Sequence, residues 1–133
     1  MQQESPLTVV RAWLDAANRQ DGNRLVELSD PKIEVIGPRG SGYGHQLLRD
    51  WLGRAGLSLE TQRLFVRGNV VVLAQHGIWR SVETGERTGQ RDLACLFRVD
   101  GRRVTQFARY DSLDEAMHAA GFNAQDEVPE VDQ

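Results

Sequence analysis

The spacing of apolar residues changes once along the chain, and this change constrains the fold more than any other feature. Before Gly56 most apolar residues recur at helical spacing, whereas from Leu57 onward they alternate with a period of two. Three turn signals divide the second part, at Gly68-Asn69, Glu83 to Glu86 and Asp100-Gly101. The pattern predicts helices followed by a four-stranded antiparallel meander, an α+β fold with helices on one face of the sheet.

Capping signals predict the boundaries of the first elements. A serine-proline pair at 5–6 favours the start of a first helix that runs to about Asn18. Asp21 can cap a short second helix, which Asp30-Pro31 ends because a residue before proline avoids helical angles. A first strand is then expected over Lys32 to Ile36.

Glycines and a capping box predict the remaining boundaries. The stretch 37–42 is a loop by composition, and the apolar stripe within 47–52 predicts a third helix that Gly56 ends. The box at 112–115 starts a short last helix, which ends at Gly121.

The chain is expected to form one domain. Its 133 residues suit a single hydrophobic core, and no internal repeat is apparent. We assign 1–5 to an N-terminal extension, 6–122 to the domain and 123–133 to an acidic tail. The tail has almost no apolar residues to bury, so we expect it to be disordered.

Charge and cysteine usage exclude some partners and favour a location. A net charge of −3 and a pI near 5.6 give no broad positive field, so we expect no nucleic-acid partner. Cys95 is the sole cysteine and lies in an apolar run, which suits a reducing cytoplasm. The polar start of the chain and the lack of an apolar run near ~20 residues argue against secretion and a membrane partner.

Neither a metal nor another cofactor is expected. One cysteine and scattered histidines do not have the spacing of a zinc site. The glycines of 37–42 are not followed by the lysine-serine or lysine-threonine pair of a phosphate-binding loop.

Counting outward from the turns predicts which polar side chains are neighbours. If Asp100-Gly101 is a two-residue turn, Asp92 lies opposite Arg109 and Gln90 lies opposite Asp111, all on one face. If the preceding turn also has two residues, Trp79 lies opposite Gln90 and Gln75 opposite Ala94. That face then gains three further side chains, Gln75, Trp79 and Phe107, which together with Gln90 are candidate ligand contacts.

The other face of the predicted sheet is almost continuously apolar. It is interrupted only by His76 and Arg91, and its apolar members are Leu59, Phe65, Val72, Ile78, Leu93, Cys95, Phe97 and Val104. A small domain has too few helices to cover two apolar faces. We therefore expect a homodimer with an isologous contact through the sheet.

Four local motifs resemble those of a known superfamily. They are the opening helix Val9 to Leu14, the Tyr43-Gly44-His45 start of the third helix, the segment Phe97 to Val104, and Arg109-Tyr110-Asp111 followed by Gly121. Between about Leu7 and Phe122 the chain resembles the nuclear transport factor 2-like superfamily, particularly its SnoaL-like and ketosteroid-isomerase-like members. The resemblance implies a cone-shaped curved sheet packed on N-terminal helices, an apolar pocket between them, and commonly a homodimer.

The resemblance also singles out candidate catalytic residues. Asp111 matches the acid/base aspartate of SnoaL-like cyclases, a role that suits a carboxylate whose pKa is raised by an apolar cavity. The alternative is a strand-end residue beside the Ser112 cap. Asp92, Arg109 and Asp111 together are similar to the Asp-Arg-Asp set of limonene-epoxide-hydrolase-like relatives. The alternative there is a cross-strand ion pair contributing at most ~1 kcal/mol.

Aromatic and imidazole side chains are the candidate ligand contacts. Trp13, Trp51 and Trp79 come from three walls that would surround a pocket, or they fill an ordinary core. Tyr43 is either a gate at the pocket mouth or a surface turn residue. His45 and His76 are either proton carriers or structural residues at a helix start and in the sheet.

Three functions remain open at this point. The first is an enzyme acting on a small apolar molecule by cofactor-independent acid/base chemistry: isomerisation, cyclisation, dehydration or epoxide hydrolysis. The second is a non-catalytic module that binds a ligand or a protein partner. The third is a structural dimer with a filled core. Fold alone does not choose among them, because one scaffold hosts unrelated activities.

Overall fold

The computed structural model describes residues 5–37 and 40–129 as four α-helices, a short 3₁₀ helix and seven strands. The α-helices are α1 (Pro6–Asn18), α2 (Gly22–Glu27), α3 (His45–Ala55) and α4 (Leu113–Ala120), and the 3₁₀ helix is Ala124–Asp126. The strands are β1 (Ser29–Gly37), β2 (Gly40–Tyr43), β3 (Leu57–Arg67), β4 (Val70–Arg80), β5 (Arg87–Asp100), β6 (Arg103–Tyr110) and β7 (Glu127–Val128).

Side-chain and glycine caps delimit the helices where the sequence predicts them. Ser5 caps α1 by accepting a hydrogen bond from the amide of Thr8, and Asp21 caps α2 in the same way. At the other end of α3, Gly56 adopts a left-handed conformation with φ of 57°. The predicted bounds of α1, α3 and α4 are therefore confirmed.

All seven strands belong to one curved sheet in the order β2-β1-β6-β5-β4-β3-β7. The predicted meander is confirmed as β3 to β6, each antiparallel to the next, while β1 runs parallel to β6. The prediction of a loop over 37–42 is wrong for Gly40–Tyr43, which pairs with β1 as an edge strand. Glycine weakens a strand because it has no side chain to pack, but an edge strand needs fewer packed side chains than a central one.

The pairing of β5 with β6 differs from the prediction. The turn residues are Gly101 and Arg102, because Asp100 pairs with Arg103, and a bulge follows between Arg98 and Val99. Arg109 consequently lies opposite Cys95. The prediction that Asp92 lies opposite Arg109 is wrong, and since 92 and 95 differ by an odd number, Asp92 points to the other face.

The β4–β5 connection is longer than predicted. Its six residues, 81–86, are organised by the Ser81 hydroxyl, which accepts hydrogen bonds from the amides of Glu83 and Thr84. A bulge at Arg80 then shifts the pairing, so that Trp79 lies opposite Gly89 and not Gln90. For the same reason Gln75 lies opposite Leu93 and not Ala94.

Helices cover both faces of the sheet. The inner face packs against α1, α2 and α3, and the members of the predicted apolar face that belong to this core are Leu59, Leu93, Cys95, Phe97 and Val104. On the outer face, α4 inserts Ala116 against Phe65, Val72 and Leu96. The prediction that Phe65 and Val72 share a face with Leu59 is wrong, because a bulge between Thr61 and Arg63 shifts the register of β3 against β4. The expectation that the domain has too few helices to cover both faces of the sheet is wrong, because α4 covers much of the outer face. The homodimer stays a prediction.

Aromatic side chains fill the centre of the space between the inner face and the helices. Trp13, Phe97 and Phe107 are at most 2% exposed. The Trp13 ring centroid lies 5.3 Å from that of Phe97 and 4.8 Å from that of Phe107. Trp13 Nε1 also donates a hydrogen bond to Ser29 Oγ at 2.9 Å. Of the two interpretations of Trp13, the structure supports the core residue.

The C-terminal tail is ordered as far as the structure describes it. In β7, Val128 pairs with Leu64, and Arg63 and Arg67 bind the carboxylates of Glu127 and Asp126. The prediction of disorder is wrong for 123–129, because the free edge of β3 and two arginines stabilise a segment that buries little. Residues 130–133 of the tail and 1–4 of the predicted extension lie outside the described residues. No helix in the described segments has the length and apolar character needed to cross a membrane.

Candidate functional site

Two cavities adjoin the end of β1, one where β1, β2 and α3 meet and the other between the ends of β1 and β6 and the start of α4. The first, here called the aromatic cavity, has a volume of about 390 Å³ and is lined by Val35, Leu47, Trp51, Arg54 and the glycine-rich residues of β2. The second, the Arg109 cavity, has a volume of about 180 Å³ and is lined by Ile36, Arg109, Tyr110, Asp111 and Glu115. Both are also lined by Gly37, so they adjoin at the end of β1.

Trp51 connects the aromatic cavity with the core. Its ring stacks on Trp13 at a centroid distance of 6.3 Å and lies 5.4 Å from the ring of Phe107. The indole is only partly buried, so the part that leaves the core lines the cavity. Of the three tryptophans predicted to contact a ligand, Trp51 is the one that lines a described cavity.

Arg109 is unusual among the arginines of this chain. Every other arginine within residues 5–37 and 40–129 is exposed, whereas Arg109 is partly buried. Its guanidinium carbon lies 5.7 Å from the ring centroid of Trp79. In the described residues its N–H groups make no hydrogen bond or ion pair with a protein acceptor.

Arg109 and Trp79 reach each other across the inner face of the sheet. Their partners on β5, Cys95 and Gly89, are separated by about 20 Å of strand. The Trp79 ring leans over Gly77, where a Cβ atom would lie 3.4 Å from it and 2.9 Å from a methyl carbon of Leu93. Since Gly77 has no side chain, Trp79 can lie along the sheet toward Arg109.

Cys95 lies beside Arg109 but is not a nucleophile. Burial raises the pKa of its thiol to about 12, against a smaller opposing effect of the Arg109 charge. The thiol is therefore protonated at neutral pH, as expected for a small buried hydrophobe.

Asp111 lines the Arg109 cavity, but its environment differs from the expected one. Its side chain is 63% exposed, and Oδ1 lies 3.3 Å from Nη2 of Arg91. The prediction of a carboxylate desolvated by an apolar cavity is therefore wrong.

Asp92 belongs to a different cluster on the outer face. Its Oδ1 lies 2.9 Å from Nδ1 of His76, and Oε1 of Gln90 lies 3.0 Å from Nε2 of the same ring. The structure thus does not bring Asp92 or Gln90 together with Arg109 and Asp111. The predicted trio is wrong as a geometric unit.

The His76 cluster has its own electrostatics. The hydrogen bonds that the His76 ring donates to Asp92 and then to Gln90 raise the pKa of His76, and the charge of Glu60 adds to the effect. His45, by contrast, has Nε2 2.9 Å from the carbonyl oxygen of Ser29, which supports its structural role at the start of α3. In the described part of the chain, no three His, Cys, Asp or Glu side chains converge as metal ligands would.

Gln75 is the predicted ligand contact with the most unusual environment. It is completely buried on the inner face, where Nε2 lies 3.3 Å from Thr61 Oγ1. Its Oε1 has no hydrogen-bond partner in the described residues. Exchanging the amide oxygen and nitrogen would only move the deficit to Nε2.

Two further predicted contacts are placed elsewhere. Tyr43 is 66% exposed, and its hydroxyl donates to Glu34 Oε2 at 3.3 Å on the outer side of β1. A gate to the inner space is therefore the wrong interpretation of Tyr43. Phe107 is a buried core residue whose ring packs against that of Trp51.

The sequence did not identify Val35, Leu47, Arg54 or Arg91 as site residues. Arg91 could have been noticed, because it interrupts an apolar face and now proves to bind Asp111. The others look like ordinary strand and helix residues. Only the pairing of β2 with β1 and the position of α3 bring them together.

A third cavity lies away from these two. It has a volume of about 380 Å³ between the end of α1 and the β4–β5 connection, and its lining includes Asn18, Leu57, Arg80 and Val82. The side chain of Asn18 has a structural role there, since its amide makes hydrogen bonds to both the N–H and the carbonyl oxygen of Leu59.

Comparison with known proteins gives a fold but no family model. No family model matches the chain, and no curated protein matches it. Solved structures do match. An NTF2-like protein of unknown function from Cytophaga hutchinsonii is 15% identical with a TM-score of 0.70, covering 86% of this chain and 96% of its own.

Two of the similar structures have enzyme names. A putative polyketide cyclase from Sinorhizobium meliloti is 18% identical with a TM-score of 0.64, covering 77% of this chain and 93% of its own. An LEH-like epoxide hydrolase from M. tuberculosis is 19% identical with a TM-score of 0.69, covering 85% of this chain and 86% of its own. The chain therefore has the fold of the nuclear transport factor 2-like proteins, as its sequence motifs predicted.

Proposed function

We propose that this protein binds a small, largely apolar molecule in the aromatic cavity. The observation that carries the proposal is the position of Trp51, which belongs to the core on one side and lines the cavity on the other. The cavity volume of about 390 Å³ is within the range of small-molecule sites. Val35 and Leu47 add apolar surface to the lining of the same cavity.

Binding without catalysis is better supported than an acid/base reaction. The enzyme hypothesis depended on a desolvated carboxylate, and both of its candidates are exposed: Asp92 by 74% of its side-chain surface and Asp111 by 63%. Asp92 also lies on the face opposite the cavity. Neither carboxylate therefore has the apolar, water-excluding surroundings that the acid/base hypothesis required.

A SnoaL-like or ketosteroid-isomerase-like enzyme is the second candidate. It is favoured by one observation, that Asp111 and Arg109 line the same cavity. Solved structures of this fold include a putative polyketide cyclase and an LEH-like epoxide hydrolase. In this candidate Asp111 would move the proton, and Asp92 would have no part in the reaction.

The test of binding uses the neutral probe N-phenyl-1-naphthylamine, whose fluorescence rises in apolar sites. Leu47→Trp should fill the aromatic cavity and abolish the saturable signal. The matched control is Val82→Trp, a 60% exposed position in the third cavity, which should leave the signal unchanged. Loss of binding in Val82→Trp with retention in Leu47→Trp would place the ligand in the third cavity and contradict the proposal.

Thermal shift extends the same test to unlabelled compounds. Saturation at 100 times the dissociation constant should stabilise the protein by about 2.7 kcal/mol. That corresponds to a shift in Tm of several degrees for a domain of this size. If a ligand found in this way is also turned over, loss of turnover with retained binding in Asp111→Asn would favour the enzyme.

A further inference from the structure

We propose that the ligand of the aromatic cavity is a short apolar peptide, which adds a strand to the free edge of β2 and places a side chain in the cavity. The inference rests on the proposed function, because this side chain would occupy the site described there. It goes further by naming the class of ligand: extended peptides with apolar residues at alternating positions. In this mode of recognition the main-chain hydrogen bonds supply affinity, and the cavity supplies specificity.

The first argument is the direction of the main-chain groups of β2. Directly after this strand, Gly44 N–H donates to the carbonyl oxygen of Ile33 on β1 at 2.8 Å. Hydrogen-bonded and non-hydrogen-bonded pairs alternate along antiparallel strands. Gly42 is therefore hydrogen-bonded to β1, while Ser41 and Tyr43 direct their N–H and C=O groups away from it. In the described part of the chain, no strand lies along that side of β2.

The second argument is the contrast with the opposite edge of the sheet, which is closed. There β7 pairs with Leu64 and Phe65 of β3. Further along β3, the side-chain amide of Asn18 donates to the carbonyl oxygen of Leu59 and accepts from its N–H. Sheet edges are commonly covered in such ways, or protected by charged residues, proline or bulges. The β2 segment Gly40–Tyr43 has neither charge nor proline, and its register with β1 has no shift.

The third argument is that the aromatic cavity reaches the free edge. Paired residues share a face of the sheet, so Gly42 lies on the inner face with its partner Val35. Ser41 is the next residue and directs its side chain to the outer face. Ser41 nevertheless lines the cavity, which therefore meets its main chain. The main-chain groups that point away from β1 thus border the cavity.

The fourth argument is the glycine at both inner positions of β2. A Cβ atom on Gly40 would meet nothing within 4 Å, and one on Gly42 would lie 2.6 Å from a methyl carbon of Leu47. A strand paired with β2 would direct every second side chain to the inner face. Because β2 has no inner side chains of its own, such a side chain has an open path toward Leu47 and Trp51.

A second copy of the chain fits this edge less well than a peptide. Through its own β2 it would bring only glycines to the inner face, and the aromatic cavity would stay unfilled. A peptide with apolar side chains pairs with the edge and fills the cavity at the same time. The edge is therefore assigned to a peptide.

The experiment titrates the protein with N-acetyl-Leu-Ser-Leu N-methylamide and with two singly N-methylated forms of this peptide. In antiparallel pairing the peptide serine lies opposite Ser41, and both leucines face inward. The N–H of the peptide serine then donates to the Ser41 carbonyl oxygen, whereas the N–H of the last leucine points away from β2. Methylation of the serine nitrogen should weaken binding about tenfold, and methylation of the last leucine nitrogen less than about threefold.

A pair of variants tests the same edge from the side of the protein. Ser41→Pro removes the N–H that would donate to the peptide, and proline is tolerated at an edge position whose N–H faces solvent. Ser41→Ala keeps this N–H. The unmethylated peptide should bind Ser41→Pro about tenfold more weakly than Ser41→Ala. Should Ser41→Pro lose its near-ultraviolet circular dichroism, the methylated peptides provide the test on the wild-type protein.

The outcomes separate this inference from the proposed function. A loss confined to one of the two methylated amides supports strand pairing, antiparallel for the serine and parallel for the leucine. If N-phenyl-1-naphthylamine binds but the peptide does not, or the two methylated peptides bind equally, the inference is overturned while the binding function stands. If the neutral probe fails to bind, both fail.

Hydrogen exchange tests the alternative occupant of the edge. Without peptide, the Tyr43 amide should exchange rapidly at every protein concentration, and saturating peptide should slow its exchange at least tenfold. Protection that rises with protein concentration in the absence of peptide would assign the edge to a second copy and overturn the inference.

Discussion

At the scale of single residues, Gln75 is a buried polar group whose Oε1 finds no hydrogen-bond partner among residues 5–37 and 40–129. Replacement by methionine keeps the length of the side chain and removes the unpaired Oε1. Because a buried acceptor without a partner costs about 1–3 kcal/mol, Gln75→Met should raise the free energy of unfolding by about 1 kcal/mol in urea denaturation. The matched variant Thr61→Val removes the partner of Nε2 and should lower it. A clearly destabilised Gln75→Met would mean that an internal water or ligand satisfies the amide.

The His76 cluster predicts a pH dependence. Asp92 and Gln90 hold the proton on His76, and Glu60 assists, so the folded-state pKa is raised above its ordinary value of 6.5. The protonated form therefore stabilises the folded state fully below pH 6.5, and this contribution is lost as the pH rises through the folded pKa. Asp92→Asn should bring the pKa measured by NMR titration of His76 back toward 6.5. An unchanged titration would contradict the assignment.

The same residues show where inference from sequence stops. The chemical type of Asp92, Arg109 and Asp111 was recognised, but their grouping depended on counting from turns. The turn at Gly101-Arg102 and the bulges beside Arg98 and Arg80 each changed that count. A one-residue shift moves a side chain to the other face, and a bulge has no reliable signature in a single sequence.

At the scale of elements, the end of α3 depends on one glycine. Gly56 has φ of 57°, and a Cβ atom there would collide with the backbone carbonyl of Arg80. Gly56→Ala should therefore lower the free energy of unfolding by more than about 1 kcal/mol. Gly53→Ala is the control, since nothing lies within 4 Å of its Cβ position, and in an exposed helical site it should stabilise by up to about 1 kcal/mol. Equal effects in urea denaturation would contradict this difference.

Elements with their own local signals were predictable, and elements that depend on a partner were not. The caps of α1, α3 and α4 and the turns of the meander are short sequence signals, each contained within a few neighbouring residues. By contrast, β2 and β7 form because another strand offers a free edge: β2 pairs with the preceding β1, and Val128 of β7 pairs with the distant Leu64. The composition of the two segments, glycine-rich in one and acidic in the other, does not indicate the strand edge with which each of them pairs.

At the scale of the whole molecule, the sheet offers a surface for self-association. On the outer face α4 packs over Val72 and Leu96, while Ile78 and His76 further along β4 remain partly exposed. We propose that two chains associate through this part of the sheet. Sedimentation at micromolar concentration should give twice the mass of the chain, and Ile78→Glu should give a monomer with an unchanged fold. A wild-type monomer would refute the proposal.

The overall architecture was the most predictable feature, and the site the least. Helices before strands, the capping signals and the motif around Arg109-Tyr110-Asp111 together indicated the fold. The cavity against Trp51 arises from the packing of α3 on a hairpin that the sequence did not reveal. A binding site of this kind is a property of tertiary geometry, and single-sequence patterns describe mainly local structure.

The central claim, that a small molecule binds against Trp51, is tested most directly by NMR titration with N-phenyl-1-naphthylamine. We expect saturable shifts of the Trp51 indole N–H and the Leu47 amide, with little change at the Val82 amide in the third cavity. Shifts confined to Val82 and its neighbours, or no shifts at all near the solubility limit of the probe, would contradict it.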